Sequence, residues 1–382
     1  MKSLPLFFLS LSVSIVCQSQ TIYQKFYDKA QKHTAVEGSI DDDSVRIGSW
    51  TWWHPNGRVY QQGTYNSRGE KIGTWKVFYE DGSRCAEECY DNGYSREWFP
   101  NGDLKSEVKV VDGQKTGLYS SWYQNAQKHD EITFVDGVRE GVTKEWHSNG
   151  KLKFQGTYRN NLLQGRGTWW TADGKKDMEG NLKDDEQDGE WLFYWRTNGQ
   201  LGIRGTYDKG VQTGVWTYYY ETGEKWRSGK YVDGEQSGLW TTWYESGAKL
   251  HEGVYVNGRE SGVWTAWYED GRLDYKGSFK NGEMDGEWKG FYDDGRERYV
   301  MHYVQGVKEG EEVHFFPNGK VETRESFKHG VRNGKYERFN SAGKIEESGS
   351  FSNGEKDGRW MWYDQFGKEA RSMRFSEGKE VK

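Results

Sequence analysis

The sequence predicts an all-β protein: an elongated array of about 14 β-hairpin repeats forming one continuous twisted antiparallel sheet. Three observations predict it. A unit of about 24 residues recurs from Gly48 to the end of the chain. Each unit holds two strand-like halves separated by turn residues. Composition is wrong for thick globular cores: hydrophobic residues make up 34%, yet the chain carries 20 Trp and 25 Tyr, with 50 Gly and only 4 Pro in 382 residues. That is nearly twice the usual glycine share of ~7%.

The block from Gly238, GLWTTWYESGAKLHEGVYVNGRES, and the next from Gly262, GVWTAWYEDGRLDYKGSFKNGEMD, show the unit most clearly. Counted from its first glycine, position 3 is Trp, positions 6 and 7 are aromatic, and positions 10, 16 and 21 are Gly. Position 18 is Tyr or Phe. First glycines stand at 48, 73, 93, 117, 141, 165, 189, 214, 238, 262, 286, 310, 334 and 358, with one inserted residue between 189 and 214. Positions 2–7 suit a strand. Positions 8–10, such as Glu80-Asp81-Gly82 and Pro317-Asn318-Gly319, suit a reversal. Positions 11–19 run back, and positions 20–24 are expected to form a second turn. Positions 12, 16 and 18 share parity and so should share one face. On that face the missing side chain of Gly at position 16 leaves a gap for a neighbouring Trp ring. A lone hairpin is marginal in water, but hairpins in series share an aromatic layer. About 28 strands at ~4.8 Å each would extend roughly 130 Å before twist.

Taken in order, residues 1–19 read as a secretory signal peptide: Lys2, then an apolar run from Leu4 to Val16, then Cys17-Gln18-Ser19 with small residues where a peptidase would cut. Thirteen apolar residues are too few to span a bilayer comfortably. The expected location is extracytoplasmic, after cleavage near Ser19; lipidation of Cys17 is the alternative. Residues 20–47 carry no clear repeat and are assigned as an N-terminal cap, with 48–382 as the array. Between Gly73 and Gly93 the step shortens to 20 residues, and Asn92-Gly93 reads as a two-residue hairpin turn. Cys85 and Cys89 lie four residues apart in one strand, ~13 Å, too far for a disulfide unless a bulge breaks the strand. Position 3 is not Trp at Thr143, Gly167 and Glu312, which marks weaker units.

No nucleophile elbow, zinc-protease motif, phosphate loop or Cys-x-x-Cys is present. The eight histidines are scattered and read as surface residues. Asp184 to Gly189 reads as a repeat turn. No catalytic residue, cofactor or metal is therefore expected, and the protein is not expected to be an enzyme. Basic and acidic residues are interspersed, with a net charge of −6. That argues against nucleic acid and against strong membrane binding unless Cys17 is lipidated. The rings at positions 3, 7 and 18 are expected to form the spine. Position 6 points to the other face, so Tyr219, Trp243, Trp267 and Phe291 are the candidate partner-binding aromatics.

The motif Gly-x-Trp-x-x-Trp/Tyr-Tyr-x-Asp/Asn-Gly, followed by Gly-x-Tyr/Phe-x-Asn/Asp-Gly, stands clearly at 214–295 and decays across 48–382. It resembles the variant MORN repeat of proteins known as YwqK-like antitoxins. The resemblance implies a hairpin array used for binding or scaffolding without catalysis. The expectation is an exported scaffold that binds a protein partner along its sheet. Two alternatives stand beside it: a carbohydrate- or cell-wall-binding module using stacked aromatics, and an antitoxin-like neutraliser of a partner toxin.

Overall fold

The computed structural model describes residues 20–381. The expected signal peptide and Cys17 lie outside the described residues. Within them are 33 β-strands and no helix. The chain forms two compact units, one up to Gln164 with residues 172–174, the other 165–171 with residues 175–382. In the first, strands from Thr21–Phe26 to Leu152–Arg159 pair antiparallel in chain order. In the second the same holds from Lys176–Lys183 to Lys379–Val381. The all-β, hairpin-repeat fold class read from the period is the one observed.

The tip turn at positions 7–11 forms as expected. Gly247 N–H donates to the Tyr244 carbonyl at 2.9 Å, and Tyr244 N–H to the Ala248 carbonyl at 2.8 Å. Gly247 takes the left-handed φ of 86° that closes such a turn. The inserted residue of the 189 unit is absorbed here: Trp195 N–H reaches the Gln200 carbonyl at 2.8 Å while Tyr194 still pairs with Leu201. The second turn is shorter than expected. Asn257 and Gly258 both have positive φ, 50° and 71°, and Val256 pairs directly with Arg259. Two residues suffice because Asn and Gly both tolerate the left-handed region, so positions 22–24 belong to the next strand, Arg259–Trp267. Asn92-Gly93 corrects the reading the other way. Gly93 has φ 158°, and Asp91 accepts from the Gly73 N–H at 3.0 Å and the Asn92 N–H at 2.8 Å. The carboxylate organises a bend there instead of a two-residue hairpin.

Two bulges per unit set which side chains share a face. At the first, Ala266 pairs with Tyr275 and Trp267 with Leu273, leaving Asp274 without a partner. The extra residue at position 13 breaks the alternation, so position 12 joins position 6 on one face instead of positions 16 and 18 on the other. The same shift at Cys85 places both thiols free in the strand Arg84–Cys89. At the second bulge Glu252 pairs with Thr265 and Val254 with Ser261, so Gly262 to Trp264 stand opposite the single Gly253. Gly262 makes this possible with a φ of 66°.

That second bulge seats the aromatic spine. A Cβ built on Gly253 would lie 2.1 Å from the Trp264 ring, and Gly38, Gly63, Gly180, Gly205, Gly229, Gly277 and Gly349 lie equally close under Trp50, Trp75, Trp191, Trp216, Trp240, Trp288 and Trp360. The gap expected over position 16 is therefore filled by the next unit's Trp. These rings are at most 6% exposed. Most donate Nε1–H to the carbonyl of position 17, as Trp240 does to Lys230 at 3.2 Å and Trp360 to Ser350 at 3.0 Å. Position 18 rings stand edge-on between them: Tyr231–Trp240, Tyr255–Trp264 and Phe279–Trp288 have centroids 5.2, 5.2 and 5.0 Å apart. Cations at position 23 cover the outside, Lys71 at 4.3 Å from the Trp75 centroid and Lys356 at 3.8 Å from that of Trp360.

Residues 20–47 show the same geometry. Gly38 lies under Trp50, Trp50 Nε1–H donates to the Ser39 carbonyl at 3.0 Å, and the Tyr27 hydroxyl bonds the Trp53 carbonyl at 2.7 Å. The cap is thus built on the contacts of a repeat, which its sequence hides.

Candidate functional site

The second unit carries the most regular sheet surface, opposite the Trp spine. Its first strands, Val211–Tyr219, Glu235–Trp243, Arg259–Trp267 and Gly286–Phe291, end on the four predicted aromatics. Each is half-buried, and each main-chain carbonyl is held by the preceding repeat. Tyr220, Tyr244 and Tyr268 donate their hydroxyls to Trp243, Trp267 and Phe291 at 2.8, 3.0 and 2.7 Å. Trp195 Nε1–H does the same for Tyr219 at 3.2 Å. Position 7 therefore ties adjacent hairpins together and stands beside the spine, not within it.

Two of the four aromatics, Tyr219 and Phe291, line shallow depressions. Tyr219 lines one with Val215, Thr217, Arg204 and Lys225. Phe291 lines another with Val263, Lys276 and Lys289. The Trp267 ring is partly occupied by Lys249, whose Nζ lies 5.5 Å from its centroid, and Trp243 pairs with Lys249 across the hairpin. The main chain of all four is thus anchored, and the Trp267 ring carries a cation.

The residues that sequence reasoning missed lie at position 2. Val215, Leu239 and Val263 are 64%, 57% and 52% exposed. They are pushed out because positions 1 and 2 are the surplus residues of the second bulge. Val232 and Val256, at the ends of two-residue turns, are 41% and 51% exposed on the same face. An aliphatic residue following a left-handed glycine was the available signal.

Charge on this face is paired locally. Glu179, 5% exposed, meets Arg166 and Lys176 at 3.0 Å each and accepts the Tyr194 hydroxyl at 2.5 Å. Burial pushes its carboxyl up, but these donors outweigh burial and hold it at about 2. Burial and the Glu179 carboxylate push the Tyr194 phenol up to about 12. This is a structural ion cluster.

Among the described residues, one grouping, in the first unit, has metal-ligand character: one donor atom each from His129, Asp130 and Glu145 lies within 4.8 Å of the others. Scattered histidines gave no sign of it, because Glu145 arrives from the neighbouring hairpin.

Comparison with known proteins agrees with the repeat geometry. The MORN repeat variant family matches residues 46–67, 71–92, 139–160, 212–233, 260–281 and 308–329. Every matched segment begins two residues before a first glycine, at the cation over the spine or its equivalent. No curated protein matches. Among solved structures, the crystal structures of TcdB2-TccC3-Cdc42 and of TcdB2-TccC3 align over 93% of this chain, at 11% and 9% identity, and this chain spans 23% of theirs. Both TM-scores are 0.17, which carries no argument about this protein. Six matched segments, each falling on the same bulged hairpin with the same register, make the chain a MORN-variant repeat protein.

Proposed function

We propose that this protein is an exported, non-enzymatic repeat scaffold that binds a protein partner along the face opposite its Trp spine. The observation that carries the reading is the column Val215, Leu239 and Val263, three aliphatic side chains each more than half exposed at one repeat position. Exposed aliphatics recurring at one repeat position, on a sheet whose aromatic layer is satisfied elsewhere, suit a protein surface. Tyr219, Trp243, Trp267 and Phe291 supply the half-buried floor. The cation over Trp267 favours this over a saccharide platform, which needs free ring faces. Export rests on residues 1–19, and the mature chain begins near Gln20.

The test is photo-crosslinking from position 239, with position 356 on the spine side as control, in cells followed by fractionation. A defined protein adduct from 239, absent from 356 and lost on Val215→Glu with Val263→Glu, supports the reading. Retention on cell-wall saccharide without a protein adduct favours the wall-binding alternative. An adduct with a toxin encoded beside this chain favours the neutraliser. A chain recovered from the cytosol with Met1 intact removes the export part.

A further inference from the structure

Between consecutive hairpins, position 14 of one unit pairs with position 5 of the next. Most such pairs are apolar or neutral, or place one charge against a neutral residue: Met178 with Phe193, Ile203 with Tyr218, Arg227 with Thr242, His251 with Ala266. Asp130 with Glu145 sets two carboxylates directly opposite each other. Like charges in that arrangement destabilise a sheet. Beside them stands His129, the extra residue where the register shifts between Lys128 and Asp130. Its ring packs on Tyr123, centroids 4.4 Å apart, and its Nδ1 lies 3.0 Å from Asp130 Oδ2. The buried Ser121 hydroxyl donates to the same oxygen at 2.8 Å. Lys153 Nζ holds Glu145 Oε1 at 2.5 Å.

We propose that His129, Asp130 and Glu145 form a site for a divalent transition-metal ion of the zinc class. One imidazole nitrogen and two carboxylate oxygens are a donor set such ions accept, and three protein ligands leave room for water in the fourth position. Two opposed carboxylates give the site the negative charge that a dication neutralises. The packed Tyr123 ring and the Ser121 hydrogen bond hold His129 and Asp130 in place, as supporting groups do around metal ligands. Lys153 is the competitor: its ammonium occupies Glu145 and must move aside when the metal enters.

The experiment is a zinc titration of the full chain, stripped with chelator, followed by calorimetry and thermal unfolding. One saturable site is expected, with a rise in Tm on loading. His129→Ala and Asp130→Asn should each weaken binding at least tenfold, and His147→Ala should leave it unchanged. Lys153→Met should tighten binding, a result that damage to the fold would not produce. Circular dichroism of each metal-free variant checks folding. Absence of a saturable site, or binding that survives both ligand substitutions, overturns the proposal and leaves the three residues as a hydrogen-bonded network.

Discussion

Two stretches of the array solve the same packing problem differently. From 189 to 288, each position 3 is Trp, 191, 216, 240, 264 and 288, and each sits on a glycine of the preceding hairpin. From 93 to 143, position 3 is Ser95, Tyr119 and Thr143, and the residues at the preceding position 16 are Glu88, Val108 and Ile132. Ile132 pairs directly with Thr143, which is 5% exposed. At that joint bulk has moved from one side to the other, while Val108 and Tyr119 supply it from both sides. The exchange extends further: Met301 precedes Glu312, and Glu325 precedes Tyr336. What is held constant is the filled joint, not the tryptophan.

The largest expected effect comes from breaking a Trp joint. Trp240→Ala leaves a hole over Gly229 and an unbonded Lys230 carbonyl; a loss of ~3–5 kcal/mol is expected in denaturant unfolding. Hydrogen exchange should loosen the 214–262 hairpins and spare those near Gly48, since repeats couple mainly to neighbours. Uniform loosening would contradict that.

The comparison is sharpened by transplanting one solution into the other. Gly229→Ile alone drives a side chain into the Trp240 ring, which stands 2.1 Å from where its Cβ would be, and should cost about 1–3 kcal/mol or more. Combining it with Trp240→Thr recreates the 132/143 joint and should be less damaging than the two single losses added together. A double-mutant cycle measures the coupling; strict additivity would remove the exchange rule.

Acid tests a joint held by charge. Glu179 titrates at about 2 in the fold against a usual 4.5. Its ionised form therefore adds stability that is fully present above about pH 4.5 and is lost as pH falls towards 2. Glu179→Gln should lower stability at neutral pH and flatten the acid profile across that window; an unchanged slope would count against the assignment.

The smallest effect belongs to the exposed face. Leu239→Ser should shift stability by no more than about 0.5 kcal/mol, because the side chain stands in solvent. A larger loss would mean that Leu239 is a packing residue and weaken the binding reading.

The hairpin period, the tip turns and the Trp-on-Gly fit were legible because each depends on one residue type at one repeat position. The bulges were not. Alternation assumes one residue opposite one, and the extra residues at positions 1, 2 and 13 break that count without altering composition. This is why Leu273 shares a face with Trp267 and not with Phe279, and why Val215 and Leu239 stand exposed. Of the four candidate aromatics, their face was legible. Their anchoring was not, since it comes from position 7 of the preceding unit, Trp195 for Tyr219 and tyrosines for the other three, a role only the paired sheet reveals.

The one-pair joint also governs how such a chain can be rearranged. A unit may be duplicated, deleted or moved wherever its front residue and the rear residue before it remain complementary. A second copy of 262–285, inserted after itself, would place Trp on Gly at every new boundary. The 141 unit moved behind Gly253 would set a threonine over a glycine and leave the boundary hollow. Interchangeability among hairpins therefore turns first on these two residues, with the position 7 tie to the next hairpin and the position 14–5 pair as further conditions.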